Sequence, residues 1–354
     1  LAPGIATDEL ARLREAFGFR VLTHDVDAST AAPRICVTFS EDLSPMRDYG
    51  PYVQRLAPGL ALEVEGQQLC VTGVVFGESY ALTLRAGLPS TTGDSLVKDV
   101  PLEVYVRDRA PSVRFAGRTY VLPARGPRAL PVETVNADHL DLRLLRVSDR
   151  NLVTAIKQGD FLQALGAWEG ERFEQLLAEV VWEGEAILEG SLNQETTSRL
   201  PLDEVGTLEP GVYVLRASVP GADPYDVAPA TQWFMVSDLG VTTLSGTDGL
   251  HVVVQRLGDG RPVEGLRVAL VARSNRVLAE ADTDAEGHVR FAPALARGSG
   301  NSAPAMVLVE GTDDLAVLSL EEPEFDLSDR GVEGRAAAGP IDVFLATDRG
   351  AYRP

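Results

Sequence analysis

The feature of this 354-residue chain that most constrains its fold is a short-range alternation of apolar and polar residues that recurs along its length. Residues 140–147 read LDLRLLRV. In an extended strand such alternation places the leucines on one face and the charged side chains on the other. The alternating segments are separated by turns that draw on 33 glycines and 22 prolines. The sequence therefore predicts an all-β protein built from tandem antiparallel β-sandwich domains of the immunoglobulin-like or fibronectin-like kind.

The first sandwich is predicted over residues 19–110. Its strands are expected in the alternating segments 34–39, 60–64, 69–75, 80–84 and 102–106. Ahead of it, residues 8–17 place three apolar side chains on one helical face, which predicts a lead-in helix within a linker that covers 1–18.

The second sandwich is predicted over residues 111–238 and contains a change of period. Strands are expected at 112–122, 140–147, 211–217 and 231–236. Between them, apolar residues recur at helical spacing, which predicts a small helical insertion at 150–182. Trp168 and Phe173 in this insertion could line a ligand groove, but amphipathic helices most often pack on their own sheet. We favour packing.

The third sandwich is predicted over residues 239–338. Its strands are expected at 250–254, 266–271, 276–280, 288–291 and 305–309. Residues 341–346 alternate again, so 339–354 are expected to form the first strand of a truncated fourth domain.

Acidic residues dominate the charged side chains. The 52 Asp and Glu against 32 Lys and Arg give a formal net charge of -20, which disfavours nucleic acid and anionic membrane surfaces as partners.

No apolar run approaches the roughly 20 residues that a membrane helix needs, so direct membrane insertion is not expected. The acidic run at 321–324 is interpreted as solvated surface. The sequence opens with Leu-Ala-Pro-Gly and has no basic segment followed by a long apolar run, so we expect either that a secretory signal was removed or that the sequence is an excised piece of a longer protein.

Motifs that carry catalysis are missing from the sequence. It has no His-Glu-x-x-His, Gly-x-Ser-x-Gly, phosphate-binding glycine loop or Cys-x-x-Cys. Ser95 and Lys98 have the Ser-x-x-Lys spacing of penicillin-recognising enzymes, but the partner motifs Ser-Asp-Asn and Lys-Thr-Gly are absent. The four histidines are scattered over the three predicted domains. We therefore expect no enzymatic activity, no catalytic residue, no metal ligand and no cofactor.

Residues 282–287 resemble the opening of a calcium-binding loop, with oxygen-bearing side chains at alternate positions and a glycine at the sixth. The twelfth position is Pro293, which cannot supply the bidentate carboxylate. A turn stabilised by Asx hydrogen bonds accounts for the same residues, and we favour the turn.

The two cysteines, Cys36 and Cys70, lie in separate strand segments of the first predicted sandwich. They could face each other across the sandwich as a disulfide, or remain two buried thiols. We favour the disulfide, which would stabilise the domain by roughly 3–4 kcal/mol and indicate an oxidising compartment.

Several stretches, in their order and spacing, are similar to the bacterial alpha-2-macroglobulin family, specifically to its N-terminal macroglobulin-like domains. They are 34–43, 80–89, 120–123, 130–136, 146–152, 233–240, 248–252, 262–265 and 283–287. The most diagnostic is Thr-Asp-Arg-Gly-Ala-Tyr-Arg-Pro at 347–354, which resembles the family's Thr-Asp-Arg-Gly-x-Tyr-Arg-Pro-Gly-Glu strand and turn.

The resemblance implies macroglobulin-like sandwiches that form a non-catalytic part of a broad-spectrum protease trap. In such a trap the attacking protease cuts a bait segment and is then caged or held by an internal thioester in a Cys-x-Glu-Gln motif. Neither Cys36 nor Cys70 stands in that motif. The bait and any thioester are therefore expected beyond Pro354.

The resemblance also implies a location and partners. The parent protein is expected in the periplasm, either free or anchored to the inner membrane as a lipoprotein through a segment before Leu1. Attacking proteases are the expected partners, together with a penicillin-binding protein by family association. Contacts between the modules are expected to be polar enough to permit hinge motion.

Two other classes of protein remain as alternatives. An adhesin or scaffold array of immunoglobulin-like modules would have near-identical repeats, whereas these three domains differ in length. An accessory region of a carbohydrate-active enzyme would expose aromatic side chains for sugar stacking, and aromatic residues make up only 6% of this chain, mostly at core spacing.

Overall fold

The computed structural model describes residues 18–54, 58–117, 119–123, 128–202 and 205–321. The described chain is mostly antiparallel β-sheet, which confirms the all-β prediction. The lead-in helix predicted at 8–17 and the strand predicted at 341–346 lie outside the described residues. The chain divides into two compact units. Among the described residues, the first covers 18–111 with 134–136 and 189–196, and the second covers the others. The predicted domain ends stay predictions.

The first unit holds a sandwich of two sheets with strand orders β1-β2-β5-β4 and β3-β6-β7. Its strands are β1 (Val21–Asp27), β2 (Arg34–Phe39), β3 (Val53–Gln54), β4 (Ala61–Glu65), β5 (Gln68–Thr72), β6 (Ser79–Leu84) and β7 (Val100–Tyr105). The strand predicted at 69–75 ends at Thr72 because the chain turns at Gly73, whose φ is +85°. A Cβ there would lie 2.7 Å from the backbone oxygen of Gly59, so only glycine fits the turn.

The second unit begins with a sandwich whose sheets have the orders β13-β10-β8 and β12-β11-β14-β15-β9. Its strands are β8 (Ser112–Phe115), β9 (Thr119–Leu122), β10 (Ala129–Val135), β11 (His139–Val147), β12 (Ala178–Ile187), β13 (Glu195–Pro201), β14 (Gly211–Ser218) and β15 (Ala230–Val236). Two helices, α1 (Asp149–Gln158) and α2 (Ala167–Leu176), connect β11 to β12.

Two sequence predictions for this sandwich need correction. The segment 112–122, predicted as one strand, forms β8 and β9, which belong to different sheets. The helical insertion predicted at 150–182 ends at Leu176, and the chain continues as β12. Leu177 and Val180 have helical spacing, but their segment pairs along the whole of β11. Backbone hydrogen bonds to that strand outweigh a short apolar period.

The third sandwich has sheets with the orders β16-β17-β20 and β19-β18-β21-β22. Its strands are β16 (Leu239–Gly246), β17 (Gly249–Arg256), β18 (Arg267–Ala272), β19 (Val277–Asp282), β20 (His288–Phe291), β21 (Pro304–Glu310) and β22 (Leu315–Ser319). A one-turn helix, α3 (Pro293–Ala296), follows β20.

The third sandwich shares one apolar core with the helical insertion and with the outer face of the second sandwich's five-stranded sheet. The space between the two sheets of the second sandwich holds a separate core. A continuous cluster of buried side chains runs from Leu145 and Trp233 in the second sandwich to Val252, Val268 and Val307 in the third. Helix α1 contacts β21, and β14 contacts β22. This differs from the polar, hinge-like contacts expected between modules, because the helical insertion brings its apolar face to both sandwiches.

No helix in the part of the chain that the structure describes has the length and apolar character to cross a membrane.

Candidate functional site

The helical insertion is positioned by its own apolar face. In α1 the side chains of Leu152, Val153 and Ile156 are buried, and the helix ends at Gly159 in the left-handed region (φ 74°), where the amide N–H reaches back to the last turn. Leu152 and Ile156 are four residues apart and so lie on one face. The insertion is therefore held against the sheet rather than extended into solvent.

Trp233 of β15 is the centre of this packing. It is 1% exposed, and the rings of Phe161 and Phe173 meet it edge to face, each with centroids 5.2 Å away. The indole Nε1–H donates to the carbonyl oxygen of Gln163 at 2.9 Å. Trp168, by contrast, is 58% exposed. Phe173 and Trp168 therefore point to different environments and do not line a common groove.

A surface cleft of about 440 Å³ opens where the insertion meets the strands. It is lined by the end of β11, the start of α1, the end of α2, the start of β12 and Leu315 of β22. Arg146 in its wall is ion-paired with Glu209 at 2.5 Å, and the Asn151 side-chain amide donates to the Leu177 carbonyl at 3.0 Å. The lining residues include no histidine or cysteine, and the side chains of Arg146 and Asn151 are engaged in contacts within the fold.

Asp314 connects the third sandwich to the end of the second. Its Oδ1 accepts the hydroxyl of the fully buried Ser237 at 2.9 Å, and its Oδ2 accepts the backbone N–H of Asp238 at 3.0 Å. Oδ1 also accepts the N–H of Leu315, at the start of β22, at 2.8 Å. One carboxylate thus fixes the exit from β15 and the start of β22, beside the shared core.

The Ser-x-x-Lys match has no catalytic geometry. Ser95 pairs with Pro89 in an isolated β-bridge, and residues 95–98 form no helical turn. The one turn of helix that would bring Lys98 to the hydroxyl is therefore missing at this position.

The calcium-like segment forms an Asx turn. The Oδ1 of Asp284 accepts the backbone N–H groups of Glu286 at 3.1 Å and His288 at 2.8 Å. Gly287 has φ 71°, and a Cβ there would meet the Val254 carbonyl oxygen at 2.3 Å. The turn carries the chain from β19 into β20, which belongs to the other sheet of the sandwich.

Cys36 and Cys70 are joined by a disulfide. They do not face each other across the sandwich, as considered from the sequence, but lie directly opposite on the paired strands β2 and β5 of one sheet. Both are buried, at 7% and 0% exposure. The bond therefore reinforces a single sheet from within the core.

Two of the four histidines, expected to be scattered, lie together. His251 Nδ1 is 2.9 Å from His288 Nε2. The residues are 37 positions apart, so only the register of β17 with β20 brings them together. Within the described ranges, no group of three or more His, Cys, Asp or Glu side chains is arranged to hold a metal ion.

Comparison with known families matches two domain models to consecutive parts of the chain. The bacterial alpha-2-macroglobulin MG2 domain matches residues 114–234, and the MG3 domain matches residues 236–337. The chain is 27% identical over 352 residues to alpha-2-macroglobulin of Xylella fastidiosa, covering 95% of this chain and 21% of the relative. It is 25% identical over 363 residues to that of Escherichia coli, covering 99% and 21%. The chain thus spans about a fifth of the length of these curated relatives.

Solved structures show the same architecture. A crystal structure of native E. coli alpha-2-macroglobulin spanning domains NIE-MG1 has a TM-score of 0.50 and 28% identity, covering 60% of this chain and 98% of that one. A longer crystal structure, spanning domains MG0-NIE-MG1, has a TM-score of 0.54 and 23% identity, covering 88% and 99%. A variant of Salmonella alpha-2-macroglobulin has a TM-score of 0.59 and 24% identity, covering 91% and 20%.

Proposed function

The chain belongs to the bacterial alpha-2-macroglobulin family, and from this premise we propose that it is part of the N-terminal frame of a broad-spectrum protease inhibitor. In this proposal the chain itself is not a catalyst. It supports a larger molecule whose bait segment is cut by an attacking protease and whose rearrangement then encloses that protease.

The observation that carries the proposal is the apolar core shared by the second and third sandwiches. A trap that rearranges after a single cleavage needs parts that move as whole bodies, because interfaces with well-packed cores switch between discrete arrangements rather than deform gradually. Two sandwiches that share Trp233, Met235 and Val307 in one cluster are suited to act as one such body. Asp314 adds a polar connection at the same junction.

The proposal extends to location and partners. The disulfide between Cys36 and Cys70 supports an oxidising compartment, for which we propose the periplasm. The net charge of -20 favours solubility of a long envelope protein. We propose attacking proteases as partners of the whole protein, with anchoring as a lipoprotein and association with a penicillin-binding protein as further parts of the hypothesis.

The test uses the full-length parent protein. The parent protein is mixed with a protease, with the parent in small molar excess. The remaining protease activity is then measured on a small peptide substrate and on a large protein substrate. We expect the peptide to be cut while the large substrate is spared, because a caged protease stays active but inaccessible. Equal survival of both activities would show that the parent does not trap proteases.

A pair of matched variants then tests the role of this region. Trp233→Ala in the parent removes the centre of the packing, whereas Trp168→Ala removes an exposed tryptophan of the same insertion. We expect the first to reduce the protected fraction and the second to leave it unchanged. If the Trp233→Ala variant lost the structure of its second sandwich and still protected the large substrate fully, the frame would be dispensable for trapping.

A further inference from the structure

Two histidines share one face of the third sandwich, at a place that the proposed function does not use. In the antiparallel register of β17 and β20, His251 lies opposite Arg290 and His288 lies opposite Val253. Side chains two residues apart along a strand point to the same face, so the two histidines are diagonal neighbours on one face of the sheet.

The two rings meet edge to edge through nitrogen atoms. His251 Nδ1 and His288 Nε2 are 2.9 Å apart, the ring centroids are 5.1 Å apart and the planes differ by 25°. Atoms of two face-stacked rings do not approach this closely, so the displacement between the rings is mainly within their planes. Each inner nitrogen therefore directs its in-plane lone pair or N–H toward the other ring.

The outer nitrogen of each ring faces a carboxylate. His251 Nε2 is 2.9 Å from Asp248 Oδ2, and His288 Nδ1 is 3.7 Å from Asp284 Oδ2. Asp284 is held in place because its other oxygen accepts two backbone N–H groups of the Asx turn. Asp248 is at hydrogen-bond distance and favours a proton on Nε2 of His251, which leaves Nδ1 of His251 as a lone-pair acceptor. Asp284 Oδ2 lies beyond hydrogen-bond distance of the His288 ring and adds only an electrostatic attraction.

At 2.9 Å the two inner nitrogens share one proton in an N–H···N hydrogen bond, and a metal ion that takes the place of this proton would have both nitrogens as ligands. We propose that His251 and His288 form a binding site for a divalent transition-metal ion of the Zn²⁺ class, with Nδ1 of His251 and Nε2 of His288 as its protein ligands. Imidazole is a preferred ligand of such ions, and a ligating histidine usually donates its other ring N–H to a carboxylate. Here Asp248 is in position to accept that proton from Nε2 of His251, and Asp284 Oδ2 lies 3.7 Å from Nδ1 of His288.

The size and exposure of the site are compatible with this ion. Zn–N bonds of about 2.0–2.1 Å in tetrahedral geometry require the two nitrogens to separate by a few tenths of an ångström, which small ring rotations supply. The side chains of His251 and His288 are 24% and 34% exposed, so water can reach the ion and complete its coordination. With two protein ligands the site is an exchangeable surface site. Arg290, directly opposite His251, opposes the cation and weakens the site further.

The experiment is a titration of the purified, chelator-stripped chain with ZnCl₂ by isothermal calorimetry at neutral pH, with MgCl₂ as the hard-cation control. We expect one saturable Zn²⁺ per chain and no Mg²⁺ binding. His251→Gln and His288→Gln should each lower the affinity at least tenfold. Asp248→Asn should lower it by about tenfold, the effect of losing a carboxylate partner of a ligand. Arg290→Gln should raise it severalfold.

The matched control is His139→Gln. His139 also pairs with a carboxylate, because its Nδ1 lies 3.0 Å from Asp138 Oδ1, yet no second histidine is paired with it in the described structure. This variant should bind Zn²⁺ as the unsubstituted chain does. Equal binding by the His251→Gln and His288→Gln chains would overturn the proposal.

Imidazole ¹⁵N spectra of the unsubstituted chain give a second readout that does not depend on any variant folding. Zn²⁺ should shift Nδ1 of His251 and Nε2 of His288, and no other imidazole nitrogens to the same extent. Inner nitrogens that respond to pH but not to Zn²⁺ would show a shared proton instead of a metal ion, and would overturn the proposal. The trap assay of the parent is independent of this result, so either hypothesis can fail without the other.

Discussion

The first sandwich and the pair of sandwiches in the second unit stabilise their folds by different means. In the first, a disulfide joins neighbouring strands β2 and β5 around a self-contained core. In the second unit there is no cysteine, and one apolar cluster joins the outer face of the second sandwich and its helical insertion to the core of the third, beside a separate cluster between the second sandwich's sheets. A covalent bond reinforces the sheet in which it lies, whereas a shared core makes the stability of one sandwich depend on the other. The comparison teaches that tandem modules of similar architecture can differ in how far a local change spreads.

The largest expected effect comes from Trp233→Ala. Its ring is 1% exposed and packed against Phe161 and Phe173, so truncation should cost about 3–5 kcal/mol of the free energy of unfolding. Because the core is shared, we expect hydrogen exchange to accelerate in β14 and β15 of the second sandwich and in β18 and β21 of the third. Mass spectrometry of peptides from these strands measures it.

The control for this prediction is Trp168→Ala, which truncates an indole that is 58% exposed. It should change the unfolding free energy by less than about 1 kcal/mol, because the contact that the ring loses is an exposed cation–π interaction with Arg172. Faster exchange confined to the second sandwich in Trp233→Ala would contradict the idea of one coupled core.

The second prediction concerns the disulfide. Replacing both Cys36 and Cys70 with alanine opens a loop with a sequence separation of 34 and should cost about 3–4 kcal/mol. The loss should be confined to the first sandwich, as measured by exchange in β2 and β5. Adding reductant to the unsubstituted chain should reproduce it. Faster hydrogen exchange in β18 and β21 after reduction would contradict the contrast between a locally stabilised first sandwich and a second unit that is independent of the disulfide.

The third prediction isolates the polar connection beside the shared core. Asp314→Ala leaves the buried hydroxyl of Ser237 and the N–H of Asp238 without their acceptor and should cost about 1–3 kcal/mol. Urea unfolding followed by tryptophan fluorescence measures the change. Asp313→Ala, next to it and exposed, is the matched control and should have little effect. Similar effects of both variants would indicate a general charge effect rather than these hydrogen bonds.

The smallest effect is a pH dependence in the first sandwich. Hydrogen bonds from Thr92 and then Ser90 lower the pKa of Glu41. A lowered pKa in the folded state means that the carboxylate stabilises the fold fully above its unfolded pKa, about 4.3, and that this contribution is lost as the pH falls through the folded value.

Glu41→Gln should therefore destabilise the chain slightly at pH 7 and not below the folded pKa, with the difference kept under about 1 kcal/mol by solvent screening. Urea unfolding at a series of pH values measures it. Glu63→Gln, at an exposed position of β4, is the matched control for removing one surface carboxylate. A pH-independent effect of Glu41→Gln would rule out the ionised carboxylate as the cause.

Two sequence patterns predicted strands correctly: alternation, where the two faces of a strand meet different environments, and continuous apolar runs, as in the mostly buried strands β14, β15, β18 and β21. Residues 140–147, with leucines inside and charges outside, appear as part of β11. Three of the strands that these patterns missed, β1, β16 and β22, lack a contrast between their faces. In β1 and β16 most side chains are accessible to solvent, and in β22 Leu315, Ala316, Val317 and Leu318 are all at least partly buried. A two-residue alternation of apolar and polar side chains indicates a strand only when one face of that strand is buried and the other is exposed.

The features of the candidate site were harder to predict because they depend on register. Cys36 and Cys70 could be identified as a pair, but adjacency in one sheet follows only from the pairing of β2 with β5. His251 and His288 meet through the register of β17 with β20. Register is fixed by which face of each strand enters the core, and this depends on the whole fold. The turn at Asp284 was predictable because Asx hydrogen bonding is local.

The parallel pairing of β9 with β15 has a consequence for the order in which the chain acquires its structure. Val121 lies beside Met235, so the strand at one edge of the second sandwich finds its partner only after the helical insertion and five further strands have been synthesised. Closing so long a loop carries an entropic cost before any contact compensates it, and such pairings form slowly. A nascent chain would therefore complete its first sandwich early. The next two would remain unfinished until late in translation, which makes this stretch the one most in need of protection from premature association.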